Sequence, residues 1–281
     1  MRTLPAYYIY LLIYILIAPG AAENANLFQY TFFLQNFAWQ TSSGFFGVSW
    51  SLTIEEGFYL LLPICFVIVS YMKTKARTQA LSAIALIFLI ALAAKIYFVS
   101  NFDIKHVDAR KFMVLRIDAI GFGVLFTYFF HYRRQFFDWL TSYGIALILP
   151  YFLFRSLATY TPVFNSEIGA VVKFSVASLT LGFLLPWAYN LKSNNGLVSK
   201  FVSLTSEISY SLYLCHIPVI ILLNRIFGHT LNTKPLWMML VYIIASYGFA
   251  YTTYRLVERT GLYVRDNGFK LPSKNRTRET R

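Results

Sequence analysis

The sequence predicts an all-α fold: a polytopic transmembrane helix bundle of about eight spanning helices, with both termini in the cytoplasm. Three observations predict it. Hydrophobic residues make up 57% of the 281, aromatics 19% and charged residues only 13%, where a soluble domain carries about 25% charged residues. Such a chain could not hide that much apolar surface from water without a very large core. The apolar residues fall into eight runs long enough to cross a bilayer, at roughly 20 residues per crossing. The basic residues, which set a net charge of +13, gather in the short segments between the runs and in the C-terminal tail.

The runs lie near 4–22, 46–72, 79–100, 112–131, 139–158, 168–190, 206–227 and 235–257. The first also fits a signal peptide: Met1-Arg2, an apolar stretch, then Ala18-Pro19-Gly20-Ala21-Ala22 as a small-residue cleavage site. Residues 24–45 are aromatic and polar, and are expected to form an outer loop or a re-entrant segment. Loop charges set the orientation. Arg2, Lys73, Lys75, Arg77, Arg133, Arg134, Lys192, Lys200 and eight basic residues from Arg255 onward make sixteen on one side. Lys105, Arg110, Lys111, Arg155, Arg225 and Lys234 make six on the other. Sixteen against six puts both ends in the cytoplasm. The expected division is a membrane domain over 1–260 and a basic cytoplasmic tail over 261–281, whose Lys270, Lys274, Arg276 and Arg278 touch anionic membrane lipid.

In a soluble protein this charge would suggest nucleic acid. Here it serves topology, and no nucleic-acid partner is expected. Cys65 and Cys215 each sit inside an apolar run, so neither a disulfide framework nor metal-ligand spacing is present. There is no long internal repeat.

Ionisable groups in lipid cost several kcal/mol unless paired, so each is a functional candidate. Glu55, Glu56, Lys95, Arg116 and Asp118 fall toward the outer side of their runs, and His216 nearer mid-membrane. With a rise of about 1.5 Å per residue, Glu55 lies roughly 25 Å from the cytoplasmic end of its run and His216 about 15 Å from its own. Ser51, Glu55 and Tyr59 share one helical face by their i, i+4, i+8 spacing, as do Ser209, Tyr213 and His216. Pro218 cannot donate an N–H and frees the carbonyl of Leu214 beside His216. Arg116 and Asp118 are two residues apart and cannot meet on a helix, so each needs a partner elsewhere. Glu55 with Arg116 is the preferred pair. Such a pair serves equally as a structural clamp, and a lone intrahelical histidine equally as an interhelical hydrogen-bonder.

The segment Trp50-Ser51-Leu52-Thr53-Ile54-Glu55-Glu56-Gly57-Phe58-Tyr59-Leu60-Leu61-Leu62-Pro63 resembles the WSL-x-x-E-E-x-FYL-x-x-P signature of the acyltransferase-3 family. These are membrane acyltransferases that decorate bacterial surface polysaccharides such as lipopolysaccharide. Ile208-Ser209-Tyr210-Ser211-Leu212-Tyr213-Leu214-Cys215-His216-Ile217-Pro218 resembles the family's ISYSLYLWHFP helix. Weaker likenesses are Arg2-Thr3-Leu4-Pro5-Ala6-Tyr7-Tyr8 to R-I-x-P-x-Y, and Arg116-Ile117-Asp118-Ala119-Ile120-Gly121-Phe122-Gly123 to R-x-D-x-x-x-x-G. Tyr254-Arg255-Leu256-Val257-Glu258-Arg259 resembles the closing Y-x-x-x-E-R/K. The likeness spans nearly the whole chain. It places Arg2 inside a spanning helix, which argues against the signal peptide.

Cys215 replaces the usual Trp, and Thr260 the Pro that often follows the closing motif. Family members begin with two further helices, the first carrying an arginine and a histidine held essential for acyl transfer. This chain starts at what resembles the third, and no residue matches that histidine. The resemblance implies transfer of an acyl group, typically acetyl, from cytoplasmic acyl-CoA to a carbohydrate hydroxyl at the outer side of the bacterial inner membrane. No permanently bound cofactor is implied; acyl-CoA is the donor substrate. Glu55 and His216 are the catalytic candidates. Arg2, Ser51, Tyr59, Arg116, Asp118, Tyr213 and Arg255 are the binding candidates, with Arg2 and Arg255 meeting the CoA phosphates. The expected polar path runs from Arg2 through His216 to Glu55. The apolar loop near 24–45 is placed to bear on acceptor choice. Three accounts of the missing histidine rank in order: a true start upstream of Met1, an inactive remnant, and His216 or Glu55 serving as the base. The rival function is a transporter or flippase of lipid-linked sugars, which should show related halves; none is visible.

Overall fold

The computed structural model describes residues 3–37, 44–102, 111–161, 164, 166–192, 196–227 and 236–267. In chain order the helices are α1 (Thr3–Ile17), α2 (Pro19–Glu23), α3 (Leu27–Thr31), α4 (Trp50–Ser70), α5 (Ala76–Asn101), α6 (Met113–Tyr132), α7 (Arg134–Thr141), α8 (Leu149–Tyr160), α9 (Glu167–Gly182), α10 (Leu184–Tyr189), α11 (Leu197–Phe227), α12 (Leu236–Thr253) and α13 (Arg259–Asn267). A π-helical turn, Tyr254–Glu258, joins the last two. Among the described residues the regular structure is helical throughout, as the sequence predicts.

Among the described residues five helical segments are long and apolar enough to cross a membrane: Gly47–Ser70, Ala76–Asn101, Met113–Tyr132, Glu167–Tyr189 and Leu197–Phe227. A sixth follows if Arg134–Thr141 and Gly144–Tyr160, bent by 100° to each other, count as one broken span. The expected eight differ for local reasons. The run 4–22 stops at Ile17, because Pro19 cannot continue a helix and opens α2 instead. The run 139–158 breaks at Gly144, whose φ of +58° is left-handed. The run 206–227 begins nine residues early, at Leu197, so His216 lies nineteen residues, about 28 Å, along its helix rather than about 15 Å. The run 235–257 becomes α12 and then the π turn. The first part of the expected tail is helical, as α13.

The chain divides into two compact units. The first is Met1–Ala25, Ser43–Val48 and Asn194–Arg281; the second is Asn26–Ser42 and Ser49–Ser193.

The second unit is centred on α4, α5 and α6. Its core joins Ile54, Phe58, Cys65 and Val69 of α4 to Ala83 and Ile87 of α5 and to Met113 and Ile117 of α6. Small residues permit this approach, as in membrane bundles generally. A Cβ at Gly57 would stand 2.0 Å from the Met113 side chain, and one at Gly182 2.6 Å from the Phe126 ring. Leucine, isoleucine and phenylalanine side chains remain exposed along α4, α5 and α11, as lipid-facing surfaces require. At the start of α9, Ser166 caps the helix by accepting from the Gly169 N–H at 3.1 Å, with Glu167 in the first turn.

In the first unit, α1 buries Tyr7, Tyr10 and Tyr14, spaced at helical intervals. The Phe46 ring packs on two of them, 5.3 Å from Tyr7 and 4.5 Å from Tyr14. Arg225 of α11 donates to the Ile17 carbonyl at the end of α1, satisfying a group the helix leaves open.

Candidate active site

The second unit holds a buried ionic cluster. Lys95 of α5 and Asp118 of α6 form an ion pair, and the Lys95 ammonium also donates to Ser175 Oγ of α9 at 2.6 Å. Lys95 is 8% exposed and Asp118 4%. Charges this deep persist only when paired and hydrogen-bonded. Asp118 Oδ1 nonetheless has no hydrogen-bond partner among the described residues. Lys95 also touches a cavity of about 230 Å³ between α5 and α9, whose other lining is mostly apolar.

Arg116 lies one helical face away. Its guanidinium stands 4.8 Å from the centre of the Phe174 ring, and the Lys173 ammonium stands 5.4 Å from the same ring. Arg116 Nε is buried without a hydrogen-bond partner among the described residues. The pairing of Glu55 with Arg116 expected from the sequence does not form: among the described residues no ion pair joins them. Arg116 takes the face of an aromatic ring, and Asp118 takes Lys95.

Residues 33–37 hold this end of the unit in place. Phe33, just past the end of α3, adopts φ +56°, a left-handed conformation costly for an aromatic residue. Gln35 and Asn36, each 1% exposed, follow. Gln35 Nε2 donates to Ser49 Oγ at 3.0 Å. Asn36 Nδ2 donates to the Trp50 carbonyl at 3.1 Å and to the Lys111 carbonyl. The Asn36 carbonyl accepts from the Met113 N–H at 2.9 Å, and that of Phe37 from the Val114 N–H at 3.3 Å. These bonds satisfy the open amides of α6 and tie its start to that of α4. Within the expected loop, Gln35 and Asn36 are therefore a buried brace for the helices that carry Glu55, Arg116 and Asp118.

On α4, Leu52, Thr53, Ile54 and Phe58 are buried, whereas Ser51 and Glu55 are half-buried and Tyr59 is 59% exposed. The three predicted residues do share a face. Among the described residues no hydrogen bond or ion pair engages the Glu55 carboxylate.

The first unit holds Tyr213, His216 and Arg255 of the predicted residues. Tyr213 donates to the Val48 carbonyl at 2.5 Å, and its ring lies 6.0 Å from that of half-buried His216. Ser209 does not join them: it is exposed and donates to the Ser206 carbonyl at 2.9 Å. Arg255 is exposed beside the Tyr251 ring, 5.9 Å from its centre. Arg2 lies outside the described residues. The expected path from Arg2 through His216 to Glu55 thus takes residues from both units.

Sequence reasoning passed over the most buried polar residues here. Glu258, fully buried in the π turn, accepts from Ser211 Oγ at 2.6 Å. Tyr10 donates to Thr253 Oγ1 at 2.9 Å. π turns recur at functional sites, but this one leaves only the ordinary Y-x-x-x-E-R pattern in the sequence. Both thiols are free and buried, and Cys215 donates to the Ser246 carbonyl at 3.4 Å.

An apolar helical bundle with an ionic cluster buried in it, and a half-buried carboxylate with no ion pair among the described residues, is the pattern of a multi-pass membrane protein. The family described as "Acyltransferase domain", acyltransferase-3, matches residues 1–255. The chain belongs to the acyltransferase-3 family. Its curated relatives include O-acetyltransferase OatA of Staphylococcus aureus strains NCTC 8325, COL and MRSA252, each 26% identical over 257 residues. The match covers 79% of this chain and 36% of each relative, so the chain spans about a third of their length. No solved structure matches it.

Proposed function

We propose that this chain is the membrane part of an O-acyltransferase that moves an acyl group, acetyl, from acyl-CoA to a hydroxyl of a cell-surface or exported carbohydrate in the bacterial inner membrane. The family match and the O-acetyltransferase relatives support the reaction class. One observation carries the site: Glu55 is a half-buried carboxylate on a spanning helix with no cation bound to it among the described residues. A carboxylate so placed can take the proton of an acceptor hydroxyl while the oxygen attacks the thioester carbonyl. The carbon–sulfur bond then breaks, and the departing sulfur receives a proton to leave as coenzyme A. His216, beside the Tyr213 ring, is the second acid–base group. Ser51 and Tyr59 flank Glu55 on the acceptor side. Arg116, whose guanidinium packs on the Phe174 ring, is the binding group of α6. Asp118 holds Lys95 rather than substrate. Arg2 and Arg255 meet the CoA phosphates. Both termini lie in the cytoplasm by the loop charges.

Radiolabelled acetyl-CoA supplied to membranes from cells expressing the full-length gene product should label envelope glycan. Glu55→Gln should lower the labelling about 100-fold or more at normal membrane levels of protein. Undiminished labelling would remove Glu55 from the chemistry.

A further inference from the structure

The second unit carries a groove that the acyl-transfer reading does not use. It lies between α6 and α10, at the end of α6 that runs into Arg133 and Arg134, with a volume of about 440 Å³. This falls in the range of roughly 300–1,000 Å³ typical of small-molecule sites. Its inner wall is aromatic. The Phe130 ring packs edge-on against Tyr189 at 4.8 Å and against Phe137 at 5.2 Å. Gly123 leaves one side open, since a Cβ there meets nothing within 4 Å. The lining is therefore suited to a hydrocarbon chain.

The chain just beyond the groove is basic. His131 lines the groove itself, Arg133 follows it by two residues in the sequence, and Lys192 follows the end of α10 by three. The acid nearby, Asp138, is already engaged: Arg134 Nε donates to both of its oxygens, at 2.9 and 3.1 Å, while the guanidinium lies 4.5 Å from the Phe130 ring centre. Among the described residues no ion pair engages Arg133 or Lys192. The loop-charge count puts this end of α6 at the cytoplasmic surface. Basic pockets between spanning helices on that side take anionic lipid headgroups.

We infer that this groove is a binding site for an anionic phospholipid, with an acyl chain against Phe130, Phe137 and Tyr189 and its phosphate toward Arg133 and Lys192. The site stands independently of the acyl-transfer reading.

The test uses the full chain, delipidated in neutral detergent and titrated by native mass spectrometry. Phosphatidylglycerol should be retained about tenfold better than phosphatidylcholine, given the two cations that follow the lining segments. The paired substitution Arg133→Gln and Lys192→Gln should abolish that preference. Gly123→Leu should abolish retention itself. Leucine favours a helix over glycine and its Cβ has room, so this variant should keep the wild-type thermal melt. Equal retention of both lipids would overturn the inference, as would a Gly123→Leu protein that binds like the wild type. Displacement of phosphatidylglycerol by inorganic phosphate or by coenzyme A at micromolar concentration would also overturn it, by assigning the groove to another occupant.

Discussion

Two polar regions of the second unit invite comparison: the cluster of Lys95, Asp118 and Ser175, and the α4 face of Ser51, Glu55 and Tyr59. In the first, a buried cation meets a buried carboxylate and a half-buried hydroxyl among α5, α6 and α9. In the second, a carboxylate sits half-buried with no ion pair among the described residues. The first arrangement is what the bilayer interior demands of any charge that merely has to stay there. The second leaves a carboxylate in contact with whatever enters. The two differ in pairing: the buried pair joins α5 to α6, and the half-buried carboxylate has no ion pair among the described residues.

The strongest way to break that division is Lys95→Met. It leaves Asp118 as an uncompensated buried charge, and should cost about 3–5 kcal/mol in unfolding experiments in detergent. Adding Asp118→Asn should restore much of the loss, because the two residues act as a unit. A single variant as stable as the wild type would make the cluster dispensable. Glu55→Gln comes next, and should do the opposite, lowering acyl transfer about 100-fold with an unchanged thermal melt. Ser175→Ala removes one hydrogen bond to a charged group and should cost about 1.5–3 kcal/mol. Tyr59→Phe should be smallest. Its side chain is largely exposed, so stability should shift by no more than about 0.5 kcal/mol. A larger fall in transfer than in stability would draw Tyr59 into the acceptor site.

Much of this was legible in the residues. The runs 79–100 and 112–131 correspond to helices Ala76–Asn101 and Met113–Tyr132, because continuous apolarity bounded by polar residues is a local property. The shared face of Ser51, Glu55 and Tyr59 followed from helical periodicity alone. Pairing did not. Lys95 and Asp118 are 23 residues apart on different helices, and nothing local distinguishes that partner from Glu55. The charge of Arg116 predicts a carboxylate partner, yet a ring face takes it. The buried roles of Gln35 and Asn36 were hidden because they depend on carbonyls and amides of distant helix ends, which carry no side-chain signature. The early start of α11 is hidden because Lys200, a charge inside Leu197–Thr205, reads as a loop residue.

The π turn at Tyr254–Glu258 acts as a setting of rotational phase. Each residue of a helix advances the chain by about 100°, and a π turn is equivalent to one residue slipped into an α-helical course. Deleting a single residue there would let the turn relax toward α geometry and swing everything beyond it by about a quarter turn. The azimuth of α13, with Arg259 and Arg265 upon it, is in this sense indexed by one residue of slack, and the fully buried Glu258 bonded to Ser211 is the pin that keeps the index from slipping.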